Sequence, residues 1–373
     1  MDRAQAVAQR IHAQQLDRRT GARAATDAAV LDLGVQDTGR DGASWALVNR
    51  GVPLTSAEQL ESDDALALAW TLRSAPHYYR RSDLPDVLVA TSPFSDRDAA
   101  KRVLGADKPL EEAGIPVRVG LAEVAGRLHD LVRQPMVKGE VSSRLTAALP
   151  DPYLKECVPC GARHVWEVPF RLGALYGGVE LTPGTSPPVL RPVPDWPRRD
   201  WGPAADPLTA PERLQVIRGY LRLLGPASKK DVATFLDAPL TEVEAHWPEE
   251  AVPVTVEGRK AWQLPDAAAV SVPNDLVRLL GPFDLLLQGR DRELLVPDKA
   301  RHRALWPTLG RPGAVLVGTD LVGSWRPRAT RGRLTVRLEL WTPVTPAIWG
   351  RIEEEAERLA AHRGATLSGI ERG

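Results

Sequence analysis

Two cysteines in 373 residues are too few for a disulfide-built scaffold, and both fall in one motif, Cys157-Val-Pro-Cys160. That usage places the chain in a reducing cytoplasm. No apolar run of about 18 residues occurs, which excludes a membrane-spanning helix. The opening residues, Met1-Asp-Arg-Ala4, are charged and then amphipathic, without the apolar core of a signal peptide. Net charge is missing too: 48 Lys and Arg balance 48 Asp and Glu. A protein that coats DNA without specificity would be more basic, so any DNA affinity must come from local clusters. Phosphate-cradling Walker loops, dinucleotide fingerprints, HExxH helices and GxSxG elbows are absent, which argues against nucleotide-driven chemistry. Gly177-Gly178 and Gly184 are turn residues. The excess of Arg over Lys and the abundant Ala reflect genomic base bias.

What is present is enough apolar residue, 43%, to bury a real core, and enough length for about two to four domains. The most informative stretch is Leu214 to Leu264. Leu214, Ile217, Leu221 and Leu224 form a helical stripe, and Gly225-Pro226 ends it. Ser228 and Asp231 have capping-box spacing ahead of a short helix with Val232, Phe235 and Leu236 inward. After Pro239, Thr241 caps a third helix, Glu242 to Trp247. Two short strands around Glu257-Gly-Arg-Lys260 complete a winged-helix pattern, a unit that most often docks a helix in the major groove. Glu242, Glu244, Glu249 and Glu250 make the third helix of this copy acidic, which favours a scaffold role for it. Arg259 and Lys260 at the wing tip are candidate phosphate contacts.

The expected fold class is α+β: tandem winged-helix domains with a C-terminal β-rich element and a closing helix. Residues 1–95 form the first winged-helix-like domain, with helices over Asp2 to Leu16, Ala25 to about Val35, and Asp41 to Arg50. Strand-like Leu66 to Leu72 and Ala75 to Tyr79 follow. Residues 96–182 form a second such domain with a helical lead-in, 183–209 a Pro-rich linker, and 210–268 the winged helix described above. Residues 269–373 contain strands at 313–317, 320–325 and 333–341 and the helix Thr345 to Ala361. Leu334, Val336, Leu338 and Leu340 alternate strictly, so one face of their strand is buried.

Several stretches together resemble the winged-helix DNA-binding family that contains the AlkZ-like DNA glycosylases. They are Leu33-Gly-Val-Gln36, Trp70-Thr-Leu-Arg-Ser-Ala-Pro-His77, Leu221-Arg-Leu-Leu-Gly-Pro226, Leu280-Gly-Pro-Phe-Asp284, Asp291-Arg-Glu-Leu-Leu-Val296 and Val322-Gly-Ser-Trp-Arg326. The resemblance runs through nearly the whole chain and rests on their order and spacing. It implies tandem winged helices around a concave DNA-sized surface. It also implies a monofunctional glycosylase that removes alkylated bases and, in some members, unhooks crosslinks. The catalytic motif of that family is Gln, an apolar residue, then Gln or Asp. The matching positions here are Gln36, Asp37 and Thr38, which depart from it at the second and third places.

A cationic N-alkylated purine leaves with little acid help. The enzyme must place a water near C1′ and stabilise an oxocarbenium-like sugar. A Gln amide can hold the water and a carboxylate can take its proton. The alternative is that Gln36 and Asp37 only end a helix and begin its loop. Arg73, His77, Tyr78, Tyr79, Arg80 and Arg81 interleave base and aromatic as nucleic-acid grooves do, although core packing would use the same residues. Arg326, Arg328, Arg331 and Arg333 crowd a hairpin tip suited to a minor groove or a backbone, or to plain solubility. Cys157 and Cys160 have metal-sharing spacing, with His164 as a third ligand. A zinc ion there competes with a buried or loop cysteine pair, and no cofactor is otherwise expected.

The expected partner is duplex DNA carrying damage, bound by a monomer, with no membrane association. A non-catalytic DNA-binding regulator and a protein-interaction scaffold are the competing functions.

Overall fold

A computed structural model describes residues 1–21, 23–196 and 205–373. The chain is a mixed α+β protein that divides into two compact units. Met1–Asp63, Tyr220–Asp231 and Glu249–Gly373 form the first; Asp64–Gly219 and Val232–Pro248 form the second.

The first unit is built on a five-stranded sheet in the order Val277–Leu280, Gly313–Val317, Asp320–Thr330, Arg333–Leu340 and Thr366–Arg372. Its neighbours are antiparallel except the last pair, which is parallel. A parallel pair needs a crossover, and the helix Pro346–His362 supplies it. Thr345 caps this helix by accepting from the Ile348 N–H at 3.3 Å, and Pro346 stands where no N–H is required. Ile352, Ala356, Leu359 and Ala360 recur at helical spacing and pack on Trp325, Leu334, Val336 and Leu338. Each of the large side chains among them contributes about 1.5–3 kcal/mol by burial. Alternation turns Leu280, Ala314 and Leu316 to the opposite face, where Val7, Ile11 and Leu16 join them. The two strands where the layers overlap are therefore apolar almost throughout.

Buried ion pairs hold the N-terminal segments in this unit. Arg50 is bidentate to Asp284 at 2.7 and 2.9 Å, and also donates to Ala46 O and Gln14 Oε1. Arg10 is bidentate to Asp291 at 2.9 and 2.5 Å and donates to the carbonyls of Gly225 and Pro226.

The second unit carries strands in the order Pro76–Arg80, Leu66–Trp70, Val179–Thr182, Val189–Pro192 and Met136–Val137. The helices Val117–Leu131 and Glu167–Tyr176 pack closely because Gly177 has no side chain. A Cβ there would lie 2.6 Å from the Ala125 carbonyl oxygen. The helix Lys138–Ala148 and a two-stranded hairpin, Leu154–Cys157 with Ala162–Val165, complete it.

The elements expected over residues 210–268 are all present: helices Val216–Leu224, Lys229–Leu236 and Leu240–Ala245, then paired strands Val252–Val256 and Arg259–Gln263, but the third helix starts after Pro239, so Thr241 lies inside it instead of capping it. The Ser228–Asp231 capping box forms, each residue's side chain accepting from the other's backbone N–H at 3.2 and 3.0 Å. The hairpin rests on the N-terminal helix Arg3–Ala13, with Val256 and Ala261 against Ala6, and Trp262 bridges to Ala227.

Three local expectations need correction. Residues 25–35 are not one helix: two 3₁₀ turns, Ala25–Asp27 and Ala29–Asp32, lead to the short strand Val35–Gln36. Gly34, at φ +86°, provides the left-handed step between them. Within the expected linker, Val189–Pro192 is a strand, with Leu190 fully buried and Pro192 only at its last position, opposite Val179. Residues 197–204 of that linker lie outside the described residues. Finally, the arginine-rich stretch is mostly strand, and the turn itself is only Arg331-Gly332.

Candidate nucleic-acid interface and catalytic segment

A cleft of about 1180 Å³ opens in the first unit. Trp45, Trp325 and His362 line it, together with Thr38–Gly42, Thr55–Glu58, residues 281–283 and 308–313, and the hairpin from Trp325 to Leu334. Six arginines, Arg40, Arg311, Arg326, Arg331, Arg333 and Arg363, face two carboxylates, Asp41 and Glu58. Asp41 is already held by Arg363 at 2.6 and 3.0 Å. The side chains of Arg326 and Arg331 have no carboxylate partner among the described residues. A concave surface with uncompensated guanidinium groups at its wall attracts phosphate.

Strand register sorts the arginines. Arg326 pairs with Arg337, Arg328 with Thr335, and Thr330 with Arg333. Directly paired residues share a face, so Arg326, Arg328, Arg333 and Arg337 lie together opposite the face that packs on the closing helix. Arg337 was missed in the sequence, although the strict alternation from Leu334 to Leu340 already placed it with Arg333. The contributions of Arg40, Arg311 and Arg363 depend on long-range folding, and no local signal announces them.

Thr38 is the member of the candidate catalytic segment that lines the cleft. The strand ends at Gln36, so Asp37 and Thr38 are not bound to its alternation. The Gly42 N–H donates to Thr38 O at 3.1 Å, and a Cβ at Gly42 would come within 2.5 Å of Thr38 Oγ1. Gln36 and Asp37 are half-buried beside it. Burial, then the charges of Glu61 and Asp41, push the Asp37 carboxyl up to about 6. At the cleft floor His362 Nδ1 faces Leu54 O at 3.2 Å and Nε2 faces Ser44 Oγ at 2.8 Å. Burial pushes this imidazole below its ordinary value, which keeps it neutral.

The basic and aromatic segment of the second unit has a different fate. His77 and Tyr78 are each 2% exposed and belong to the core, so neither side chain can stack on a base. His77 Nδ1 lies 2.9 Å from Ala75 O and 3.1 Å from Thr71 Oγ1, and burial, then Arg73, hold its imidazole down to about 3. Tyr79 is buried as well, hydrogen-bonded to Thr71 at 2.8 Å. Arg73, at φ +56°, stacks over Phe235 and donates to Phe235 O at 2.9 Å. Arg80 reaches Asp83 at 3.4 Å, and Arg81 pairs with the buried Glu180 at 2.9 Å. The cationic groups here already have work inside the protein.

At the tip of the Val252–Gln263 hairpin, Arg259 pairs with Glu293 at 2.7 Å. Lys299 and Arg259, by hydrogen bonding, pull that carboxyl down to about 2. Lys260 sits 4.9 Å from the centre of the Trp262 ring. In the second unit, the ligand atoms of Cys157, Cys160 and His164 lie within 4.8 Å of one another. Hydrogen bonds from Cys160 and His164 bring the Cys157 thiol down to about 7.

Among the described residues no helix is long and apolar enough to cross a membrane. No curated protein matches the chain. A solved structure, Streptomyces sahachiroi DNA glycosylase AlkZ, is similar at 22% identity over 100% of both chains, with a TM-score of 0.72. At that identity the likeness shows a shared fold. The family model described as DNA glycosylase AlkZ-like matches residues 30–362. The chain therefore belongs to the AlkZ-like DNA glycosylase family.

Proposed function

We propose that the protein is a monofunctional DNA glycosylase that hydrolyses the N-glycosidic bond of alkylated bases in duplex DNA. The observation that carries this reading is that Thr38, which directly follows Gln36 and Asp37, lines the same cleft as Arg326, Arg331 and Arg333 of the Asp320–Leu340 hairpin. The arginines Arg326, Arg328, Arg331 and Arg333 grip phosphates on either side of the lesion. The Gln36 amide and the Thr38 hydroxyl position a water near C1′, and Asp37 takes its proton as the cationic base departs. The negative Asp37 also opposes the positive charge that develops on the sugar. The protein acts as a cytoplasmic monomer on damaged DNA, and its helical segments serve as tandem winged helices that present this cleft to the duplex.

A carboxyl held near 6 is half ionised there. A base that must be ionised gives a rate that rises through about pH 6 and levels off above it. The same burial favours the protonated form in the native state, so Asp37 contributes less stability as pH rises from its ordinary range through about 6.

The test is a duplex carrying one N7-methylguanine, incubated with protein and then treated with alkali. Strand cleavage above the spontaneous rate is expected, with a loss of about 10²–10⁴-fold in the Gln36→Ala, Asp37→Ala double variant. Excess cleavage that persists in the variant would remove this segment from the chemistry. Salt-sensitive binding without cleavage would leave a DNA-binding protein, and no salt-dependent binding at all would leave an interaction scaffold.

A further inference from the structure

The hairpin Leu154–Cys157 with Ala162–Val165 has almost nothing apolar to hold it. Of its strand residues, only Val165 is buried. Two strands of four residues are marginal in water on their own, and the ties at the base of this hairpin, such as Val165 N–H to Thr146 Oγ1 at 3.1 Å, leave its turn end without apolar support.

The turn is shaped for that. Cys157 ends the first strand, and Val158–Cys160 is a single 3₁₀ turn with Pro159 inside it. Gly161 follows at φ +60°, the left-handed position that glycine takes without penalty. Register then brings in the histidine. Cys157 lies opposite Ala162, and His164, two residues further on, returns to the same face of the hairpin. Thus two sulfurs and one imidazole converge within 4.8 Å, on a partly exposed edge that an ion can reach. Sulfurs sharing a tetrahedral zinc at about 2.3 Å are roughly 3.8 Å apart, a separation within the 4.8 Å span of this cluster.

The imidazole is also oriented for the task. His164 Nδ1 lies 2.7 Å from Val165 O, an arrangement in which Nδ1–H donates to the carbonyl. That bond fixes the tautomer and leaves the Nε2 lone pair for a metal, the usual outer support of a ligating histidine.

We propose that Cys157, Cys160 and His164 bind one zinc ion with water in its fourth position, closing the hairpin turn. Binding requires both thiols as thiolates, so their protons are released to solvent as the metal enters. Two thiolates and a neutral imidazole leave the divalent ion formally uncharged overall, which suits an edge where no other carboxylate is needed as a ligand. Soft sulfur donors select zinc over magnesium or calcium.

The test is the zinc content of the full-length protein, expressed without added zinc and purified without chelator. About one equivalent is expected in the wild type and less than about 0.2 in the Cys157→Ser, Cys160→Ser double variant. His164→Ala should weaken affinity at least as much as loss of an outer-shell partner does, about 10–100-fold. After stripping, cobalt should give a thiolate charge-transfer band that is roughly halved in either single cysteine variant. Wild-type protein with less than about 0.2 equivalents of zinc and no cobalt band overturns the proposal. So does a Cys157–Cys160 disulfide found by mass spectrometry in the freshly purified protein. The wild-type measurements decide the matter even if a variant fails to fold, and they are independent of any glycosylase activity.

Discussion

The segments Arg73–Arg81 and Arg326–Arg333 both stand out in the sequence for basic residues crowded into a few positions, but the chain uses them in opposite ways. The first contains the strand Pro76–Arg80 within the sheet of the second unit, and His77, Tyr78 and Tyr79 are all buried. Its cations are directed to internal partners, Arg80 to Asp83 and Arg81 to Glu180. The second runs out along a hairpin to a two-residue tip, and the arginines there are exposed. The lesson is that interleaved aromatic and basic residues do not define a nucleic-acid surface. Aromatic rings draw a strand inward through their apolar area, and its cations then meet buried carboxylates. A cluster without aromatic or aliphatic residues has no such pull and remains in water, available to a phosphate.

That contrast can be broken by exchange of effects. Tyr78→Ala should destabilise the protein by about 3–5 kcal/mol, the range for large aromatic truncations in a core. DNA affinity at matched folded concentration should be unchanged. Denaturant unfolding and binding isotherms check the pair, and a binding defect without a stability defect would reverse the assignment. The Arg326→Ala, Arg331→Ala, Arg333→Ala triple variant should do the opposite. Its stability should shift by no more than about 0.5 kcal/mol per site. Its salt slope for duplex binding should fall by about 0.9 for each phosphate contact removed. Fluorescence anisotropy over a salt series measures this. The smallest effect is expected for Arg259→Ala, because Glu293 already neutralises that exposed guanidinium. An exposed pair contributes about 0–1 kcal/mol, so neither stability nor salt slope should move appreciably. A clear loss of DNA affinity in this variant would bring the Val252–Gln263 hairpin into the interface.

Legibility followed the range of the interactions. The Ser228–Asp231 capping box, the Gly225-Pro226 stop and the alternation of Leu334 to Leu340 are local patterns, and each element they announced is present. The segment after Ala25 is not one helix because Gly34 takes a left-handed turn that no helical periodicity announces. The cysteine and histidine spacing was visible at once, but only the hairpin register put His164 on the same face as Cys157. The burial of His77 could not be seen either, since a histidine is at home in a core or on a surface.

By itself, the sequence determined the secondary elements with strong periodicity, the resemblance to AlkZ-like glycosylases, and the residues Gln36, Asp37 and Thr38 as a candidate site. Tertiary structure decided which cations stay unpaired, that Thr38 borders the same cleft as Arg326 and Arg331, and that Asp37 is held near 6. The physical reason is separation along the chain. Periodicity and capping act over a few residues, whereas a site also depends on burial, which depresses or raises its charges, and on groups such as Thr38 and Arg326 that lie hundreds of positions apart and meet only when the core closes.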